Sequence, residues 1–272
     1  MKVLFIGGTG VISTEVSKLC VRKGIDLYLL NRGKSIRPFP EGAKHINIDY
    51  RNFDAMQNFL VNERFDSVVD WIAFTEDQIK HAHNLFKGKT GQFIFISSAS
   101  AYQKPLPEGP ITEKTPLENP FWEYSRNKIK CENYLMKAYK DEGFPVTICR
   151  PSHTYDQTKI PFNGDYSFLD RIKRGKEIII HNDGNSKWTL TNSKDFAKGF
   201  VGLIGNPKTI GEAYHITSDA TLTWNEIAET IARNLGAKLN AVHIPGEFIK
   251  KMDNDWGDGI LGDKAYNGVF DN

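Results

Sequence analysis

The sequence is short of three things, and each shortage removes a class of protein. Cysteine occurs only three times in 272 residues, as Cys20, Cys131 and Cys149, widely spaced and among apolar neighbours. An odd, scattered set of this kind reads as reduced core residues of a cytoplasmic protein and not as a disulfide scaffold. Net charge is nearly absent: 35 Lys and Arg against 33 Asp and Glu leave +2, so nothing at whole-chain level calls for nucleic acid or an anionic membrane. Apolar runs stay far below the ~18 residues of a membrane span. Met1 leads straight into a short apolar run broken by Gly7, which does not read as a signal peptide. No internal repeat, low-complexity tract or flexible linker divides the chain, which reads as one domain with an appended lobe.

What is there begins with KVLFIGGTGVISTEVSK at residues 2 to 18. Val3 to Ile6 is a continuous apolar run, as suits a strand buried on both faces of a parallel sheet. Gly7, Gly8 and Gly10 then allow a tight turn and a close backbone approach to a ligand, and Val11 to Cys20 reads as a helix. Unpaired N–H groups and the helix dipole both face such a turn, which makes it an anion site. The third small position is Ser13, whose hydroxyl adds little bulk to the helix–sheet contact.

Leu27 to Leu30 predicts a second strand ending in Asn31-Arg32-Gly33. An acidic residue there suits the ribose hydroxyl of NAD, whereas a cation suits the 2′-phosphate of NADP. Neutral Asn31 beside Arg32 therefore favours NADP over NAD. His45 to Ile48, Ser67 to Ile72 and Gln92 to Ile96 predict further strands, with helices over Asp54 to Asn62 and from Thr75, as N-cap, to Phe86. His81 and His83 stand two apart in the latter and cannot share a face, so they read as solvated. Regular strand–helix alternation predicts a Rossmann-type, doubly wound parallel sheet with ligands beyond the strand ends.

The serine cluster Ser97 to Ser100 follows the strand at Gln92 to Ile96, where chemistry is expected, and Ser98 and Ser100 are its candidates. After a Pro- and charge-rich loop, Trp122 to Tyr139 predicts a long helix that puts Tyr124 and Lys128 on one face. A tyrosine, with its ordinary pKa of about 10, becomes a usable proton shuttle when an ammonium nearby favours the phenolate. A second Tyr-x-x-x-Lys, at Tyr155 and Lys159, precedes Ile160-Pro161 outside any helical pattern. Pro145 to Cys149 predicts a sixth strand, and beyond Tyr155 the alternation gives way to mixed elements. They comprise helices at Tyr166 to Arg174, at Ser193 to Ile204 with Ser193 as its cap, and at Trp224 to Leu235. Strands are expected at Glu177 to His181, Ala213 to Ile216 and Ala241 to Ile244. This is a smaller mixed α/β C-terminal substrate lobe over 156–272, after a dinucleotide domain over 1–155 completed by about 188–216.

With these pieces placed, the chain resembles the extended short-chain dehydrogenase/reductase superfamily, of the NAD-dependent epimerase/dehydratase type. The resemblance is carried by GGTGVIS at 7 to 13, DYRN at 49 to 52, SSASAY at 97 to 102, YSRNK at 124 to 128, RPSHTY at 150 to 155 and DFA at 195 to 197. It implies Ser98 on the substrate oxygen, Tyr124 as acid/base and Lys128 lowering the tyrosine pKa while holding the nicotinamide ribose. Gly7, Gly10, Val11 and Ile12 would follow the pyrophosphate, and Asn31 and Arg32 the adenosine ribose. Asp49 and Tyr50 would meet the adenine, Ala73 the ribose, and Pro151, Ser152 and His153 the nicotinamide. The resemblance implies no membrane, a small-molecule substrate and, as an assembly the superfamily often builds, a homodimer.

Two departures bear on that substrate. Sugar-nucleotide members place an arginine where this chain has Trp188, and later an Arg-x-Gly-Asp where it reads Ile260-Leu261-Gly262-Asp263. Trp188 is read either as a stacking or lining residue or as core. Asn31-Arg32-Gly33 and the altered lobe also resemble the chloroplast stem-loop binding proteins, which bind RNA. The joint presence of Ser98, Tyr124 and Lys128 and the lack of a basic stripe favour the enzyme.

Overall fold

The computed structural model describes residues Met1 to Asn272. The first half runs β1 (Lys2–Ile6), α1 (Val11–Arg22), β2 (Asp26–Asn31), β3 (Lys44–Asn47), α2 (Phe53–Phe59), β4 (Ser67–Asp70), α3 (Glu76–Phe86), β5 (Phe93–Ile96), α4 (Glu123–Glu142) and β6 (Val146–Pro151). The second adds β7 (His153–Tyr155), α5 (Tyr166–Lys173), β8 (Ile178–His181), β9 (Lys187–Asn192), α6 (Ser193–Val201) and β10 (Ala213–Ile216). It ends with β11 (Thr221–Thr223), α7 (Trp224–Asn234), β12 (Ala241–Ile244), α8 (Gly246–Met252) and α9 (Asn254–Gly259). No helix is long and apolar enough to cross a membrane.

Seven strands pair in parallel in the order β10-β6-β5-β4-β1-β2-β3. Because side chains alternate along a strand, β1 feeds two cores at once. Leu4 and Ile6 pack with Phe86, Leu135 and other residues of the α2, α3 and α4 face. Val3 and Phe5 pack with Val16 and Cys20 of α1 and Phe196 and Phe200 of α6. The strand order reverses between β1 and β4, and the crevice outside their C-terminal ends is where an open parallel sheet takes its ligand. This is the expected Rossmann-type, doubly wound α/β sheet.

The smaller lobe holds two further sheets, β11-β9-β7 and the parallel pair β12-β8. Its core is aromatic, with Phe162 stacked on Phe168 at 4.3 Å and Trp224 buried against Trp188 at 5.8 Å. Gly268 and Phe270 bridge to Trp188 and Ile111, which brings the C-terminal residues against the lobe and the loop before α4. Across the other side of the crevice, Arg37 Nη1, in the β2–β3 loop, reaches Asp156 Oδ2 at 2.5 Å, and its second nitrogen meets the Thr158 hydroxyl.

The structure corrects three local expectations. Strands β7, β9 and β11 lie outside the predicted elements: His153–Tyr155 and Thr221–Thr223 are too short to show alternation, whereas Lys187–Asn192 does alternate, with Trp188 and Leu190 between polar residues. Helix α6 is capped by Asn192, which accepts from the Lys194 N–H at 3.0 Å, while Ser193 lies inside the helix and donates to the Tyr155 carbonyl. His83 is not solvated: it is buried, with Nδ1 2.9 Å from the Tyr134 hydroxyl and its ring against Phe144, and burial lowers its pKa.

Beneath the crevice, α4 and β6 are joined by a buried ion pair. Arg150 Nη2 donates to Glu132 Oε2 at 2.6 Å and Nε to Oε1 at 3.0 Å, while Nη1 reaches Tyr102 Oη at 3.3 Å. Glu132→Ala strands the guanidinium without a counter-charge, and breaking a buried pair in this way costs about 3–5 kcal/mol. Urea unfolding of the variant is expected to show that loss, and an unchanged midpoint would rule out a stabilising role for the pair.

Candidate active site

The turn after β1 depends on two glycines. Gly7 and Gly8 have φ of +102° and +94°. A Cβ on Gly7 would lie 2.9 Å from Ile72 Cγ2, and one on Gly8 2.7 Å from Leu29 Cδ2. The backbone therefore runs flush against β2 and the loop after β4, with no side chain between it and the crevice. Hydroxyl groups fasten the start of α1: Ser13 Oγ accepts from the Gly10 N–H at 2.8 Å, Thr14 Oγ1 donates to the Gly10 carbonyl at 2.7 Å, and Ser17 Oγ donates to the Gly8 carbonyl at 3.0 Å. Ser13 thus ties the turn to the helix as well as being small. The first N–H groups of α1 and its dipole point the same way.

Two cavities meet the cradle. One, of about 640 Å³, is lined by Gly7, Asn31, Arg32, Asp49, Tyr50 and Ala73 among others. The second, of about 390 Å³, is lined by Ile12, Ser98, Ser100, Tyr124, Lys128, Pro151, Ser152, His153 and Trp188. Gly10 and Val11 form the helix start between Thr9 and Ile12 without lining either cavity. Trp188 lines the second cavity and is also packed in the lobe core.

The residues present fit a dinucleotide. Asn31 Nδ2 and Tyr50 Oη at the first cavity, and Ser97 Oγ at the second, are buried without a protein partner. Asn31 Oδ1 is already engaged, accepting from the Gly33 N–H at 2.9 Å and standing 2.9 Å from His45 Nε2. Asp49 is gripped by Arg51, through Nε at 3.0 Å and Nη2 at 2.7 Å, which holds its carboxyl well below the usual range. Arg32 and Lys34 give the cavity a cationic border there, beside Ser35.

At the reaction end, Lys128 Nζ donates to the Ala73 carbonyl at 2.7 Å and the Ile96 carbonyl at 2.8 Å. Burial brings its pKa down to about 8. Tyr124 departs from expectation. Burial pushes its phenol up to about 12, against a hydrogen bond from Ser98 that pulls it down, and the Lys128 ammonium lies 5.8 Å from the ring centroid, committed to two carbonyls. The phenol is therefore protonated at neutral pH. Ser98 Oγ is 2.9 Å from Ser100 Oγ, which accepts from Ser125 Oγ at 2.9 Å, so these three hydroxyls form one chain that leaves Ser97 out. Desolvation brings His153 down to about 3, with Lys264 and Lys159 pushing the same way, which leaves it a neutral ring and no general acid.

Several contributors carry no sequence signal. Asp70, at the end of β4, accepts at Oδ1 from the Ile72 and Ala73 N–H groups, at 2.9 and 3.0 Å, and so shapes the loop that presents the Ala73 carbonyl to Lys128. Lys104, Ile111, Asp263, Lys264 and Phe270 reach the second cavity from remote segments. Only the three-dimensional packing reveals them.

A parallel doubly wound sheet with this constellation at its crevice defines the extended short-chain dehydrogenase/reductase class, and the chain is an NAD(P)-dependent enzyme of that class. It belongs to the NAD dependent epimerase/dehydratase family, whose model matches residues 79–217. It is similar to a 2'-dehydrokanamycin reductase of Streptomyces kanamyceticus, 24% identical over 94% of this chain and 72% of that protein. It is 27% identical, over 91% of this chain and 67% of that protein, to a chloroplast stem-loop binding protein of 41 kDa from Arabidopsis thaliana. In fold it resembles a Thermus thermophilus UDP-glucose 4-epimerase, with a TM-score of 0.75 and 17% identity over 96% of this chain and 97% of that one. A Bacillus anthracis dTDP-glucose 4,6-dehydratase gives 0.76 and 19%, over 90% and 84%.

Asp70 supplies a pH test. Burial raises its pKa to about 6, so between about pH 4 and 6 the folded state binds more protons than the unfolded one. Stability is thus expected to fall as pH rises through that window, by up to roughly 2–3 kcal/mol. Asp70→Asn should flatten this slope in denaturant titrations; a variant with the wild-type slope would show that Asp70 is ionised throughout.

Proposed function

We propose that this chain reduces a carbonyl on a small hydroxylated substrate, with NADP favoured over NAD as its cofactor. The observation that carries the reading is the convergence of Ser98, Tyr124 and Lys128 on one cavity at the sheet crevice. NADPH, when bound, supplies the hydride. Ser98 donates a hydrogen bond to the substrate oxygen, and Tyr124 gives that oxygen its proton as negative charge develops there. Lys128, fixed by the Ala73 and Ile96 carbonyls, keeps a positive charge beside the phenolate left behind, which solvent reprotonates. The name of the reductase from Streptomyces kanamyceticus supports this direction over epimerisation or dehydration.

In this reading residues 1–155, with α6 and β10 completing them, hold the dinucleotide, and residues 156–272 otherwise hold the substrate. The preference for NADP rests on Arg32, Lys34 and Arg51 around the adenosine end, where β2 ends in Asn31 and not in a carboxylate. A catalytic set of this kind has no use in an RNA binder.

Calorimetry with the four nicotinamide dinucleotides tests the cofactor. NADP(H) is expected to bind at least about tenfold more tightly than NAD(H), a difference of about 1.4 kcal/mol, and Arg32→Glu to abolish that preference. Binding of none of them overturns the reading. In a screen of carbonyl compounds that follows NADPH oxidation, Tyr124→Phe is expected to lower kcat by ~10²–10⁴ with cofactor affinity unchanged. Full turnover by that variant would remove Tyr124 from the mechanism.

A further inference from the structure

The reaction cavity is lined by four side chains that carry charge, Lys104, Lys128, Asp263 and Lys264. Three have protein partners. Lys104 Nζ lies 3.1 Å from Asp263 Oδ1 with its side chain 1% exposed, and Lys128 is held by two backbone carbonyls. Lys264 is different. Its backbone carbonyl is fixed by His181 Nε2 at 3.2 Å and by the Ser186 hydroxyl at 2.8 Å, but its ammonium has neither a carboxylate at ion-pair distance nor a hydrogen-bond acceptor.

The position of Lys264 is equally specific. It also lines an adjoining cavity of about 400 Å³ in the lobe, together with Trp122, His153, Trp224 and Trp256. Lys264 therefore stands where the reaction cavity opens into the lobe, beside a neutral His153 and among aromatic rings. A partly desolvated cation with no direct partner, attracted only at longer range by an Asp263 that is itself paired with Lys104, is costly, and an anion supplied by a ligand lowers that cost.

We propose that Lys264 selects the substrate, by pairing with a single anionic group, a carboxylate or a phosphate monoester, on the hydroxylated molecule whose carbonyl meets Ser98 and Tyr124. The inference rests on the reductase reading above and adds the substrate's charge. A nucleoside diphosphate fits poorly. Beyond Lys264 the lobe cavity carries Asp253 and Asp255, and its other cation, Lys159, is already paired with Asp165 at 2.9 Å. A second phosphate would find no unpaired cation and would meet carboxylates of its own sign.

The test uses the cofactor-loaded protein. Calorimetry of NADP(H) comes first and sets, for wild type and Lys264→Met separately, the concentration that saturates each, because Lys264 lines the reaction cavity and not the adenosine cavity. No binding by wild type overturns the dinucleotide reading itself, separately from this one. Thermal unfolding of the NADP⁺-saturated protein then follows with glucose 6-phosphate, glucuronate, glucose, glucosamine and UDP-glucose, each at about 10 mM. A phosphate or a carboxylate sugar, or both, should raise the wild-type midpoint by about 2 °C or more while glucose and glucosamine do not, and the two anions tell phosphate from carboxylate. Lys264→Met should lose the shift and Lys264→Arg keep it. Equal stabilisation by glucose, the same shift in Lys264→Met as in wild type, a larger shift with UDP-glucose, or no shift with either anionic sugar overturns the proposal.

Discussion

Lys128 is the constraint on which the crevice depends. Its ammonium spans the loop after β4 and the end of β5, donating to Ala73 and Ile96, and one helical turn away on the same face stands Tyr124. A cation buried this far is tolerable only because both carbonyls point at it. Asp70 arranges one of them, and β5, hydrogen-bonded in the middle of the sheet, fixes the other. The distance from dinucleotide crevice to phenol is thus set by backbone, which cannot drift as a flexible side chain could.

Around that fixed point the two halves contribute different kinds of precision. The sheet offers strand ends and a glycine turn with no room for side chains, since β2 and the loop after β4 touch it. The lobe offers aromatic walls and a few charges brought from segments far apart in the chain. Lys104 and Lys264 stand on segments remote from α4, whereas Asp263 is near enough to Tyr124 to help raise its pKa.

Much of the first kind of precision is local and therefore readable from sequence. The glycine turn, the strand-end serines and the i, i+4 pair Tyr124 and Lys128 each sit within one or two regular elements, so spacing alone places them together. What escaped was non-local. Asp70 looks like the polar end of any strand, Lys264 like any surface lysine, and His83 like a solvated histidine until Phe144 and Tyr134 close over it. Proximity of Lys128 suggested a lowered tyrosine pKa, but direction matters as well as distance: the ammonium faces two carbonyls, and burial of the phenol dominates. In the lobe, three-residue strands gave no period to detect.

The contact of Arg37 with Asp156 and Thr158 gives the crevice a mechanical property. The β2–β3 loop contributes Lys34 and Ser35 to the adenosine cavity, and the segment after β7 continues the wall that His153 and Thr154 give to the reaction cavity. Joined at Arg37, these edges form one continuous hoop across the mouth. The loop that borders the first cavity and the wall of the second are thus held to one another by side chains as well as by the sheet between them.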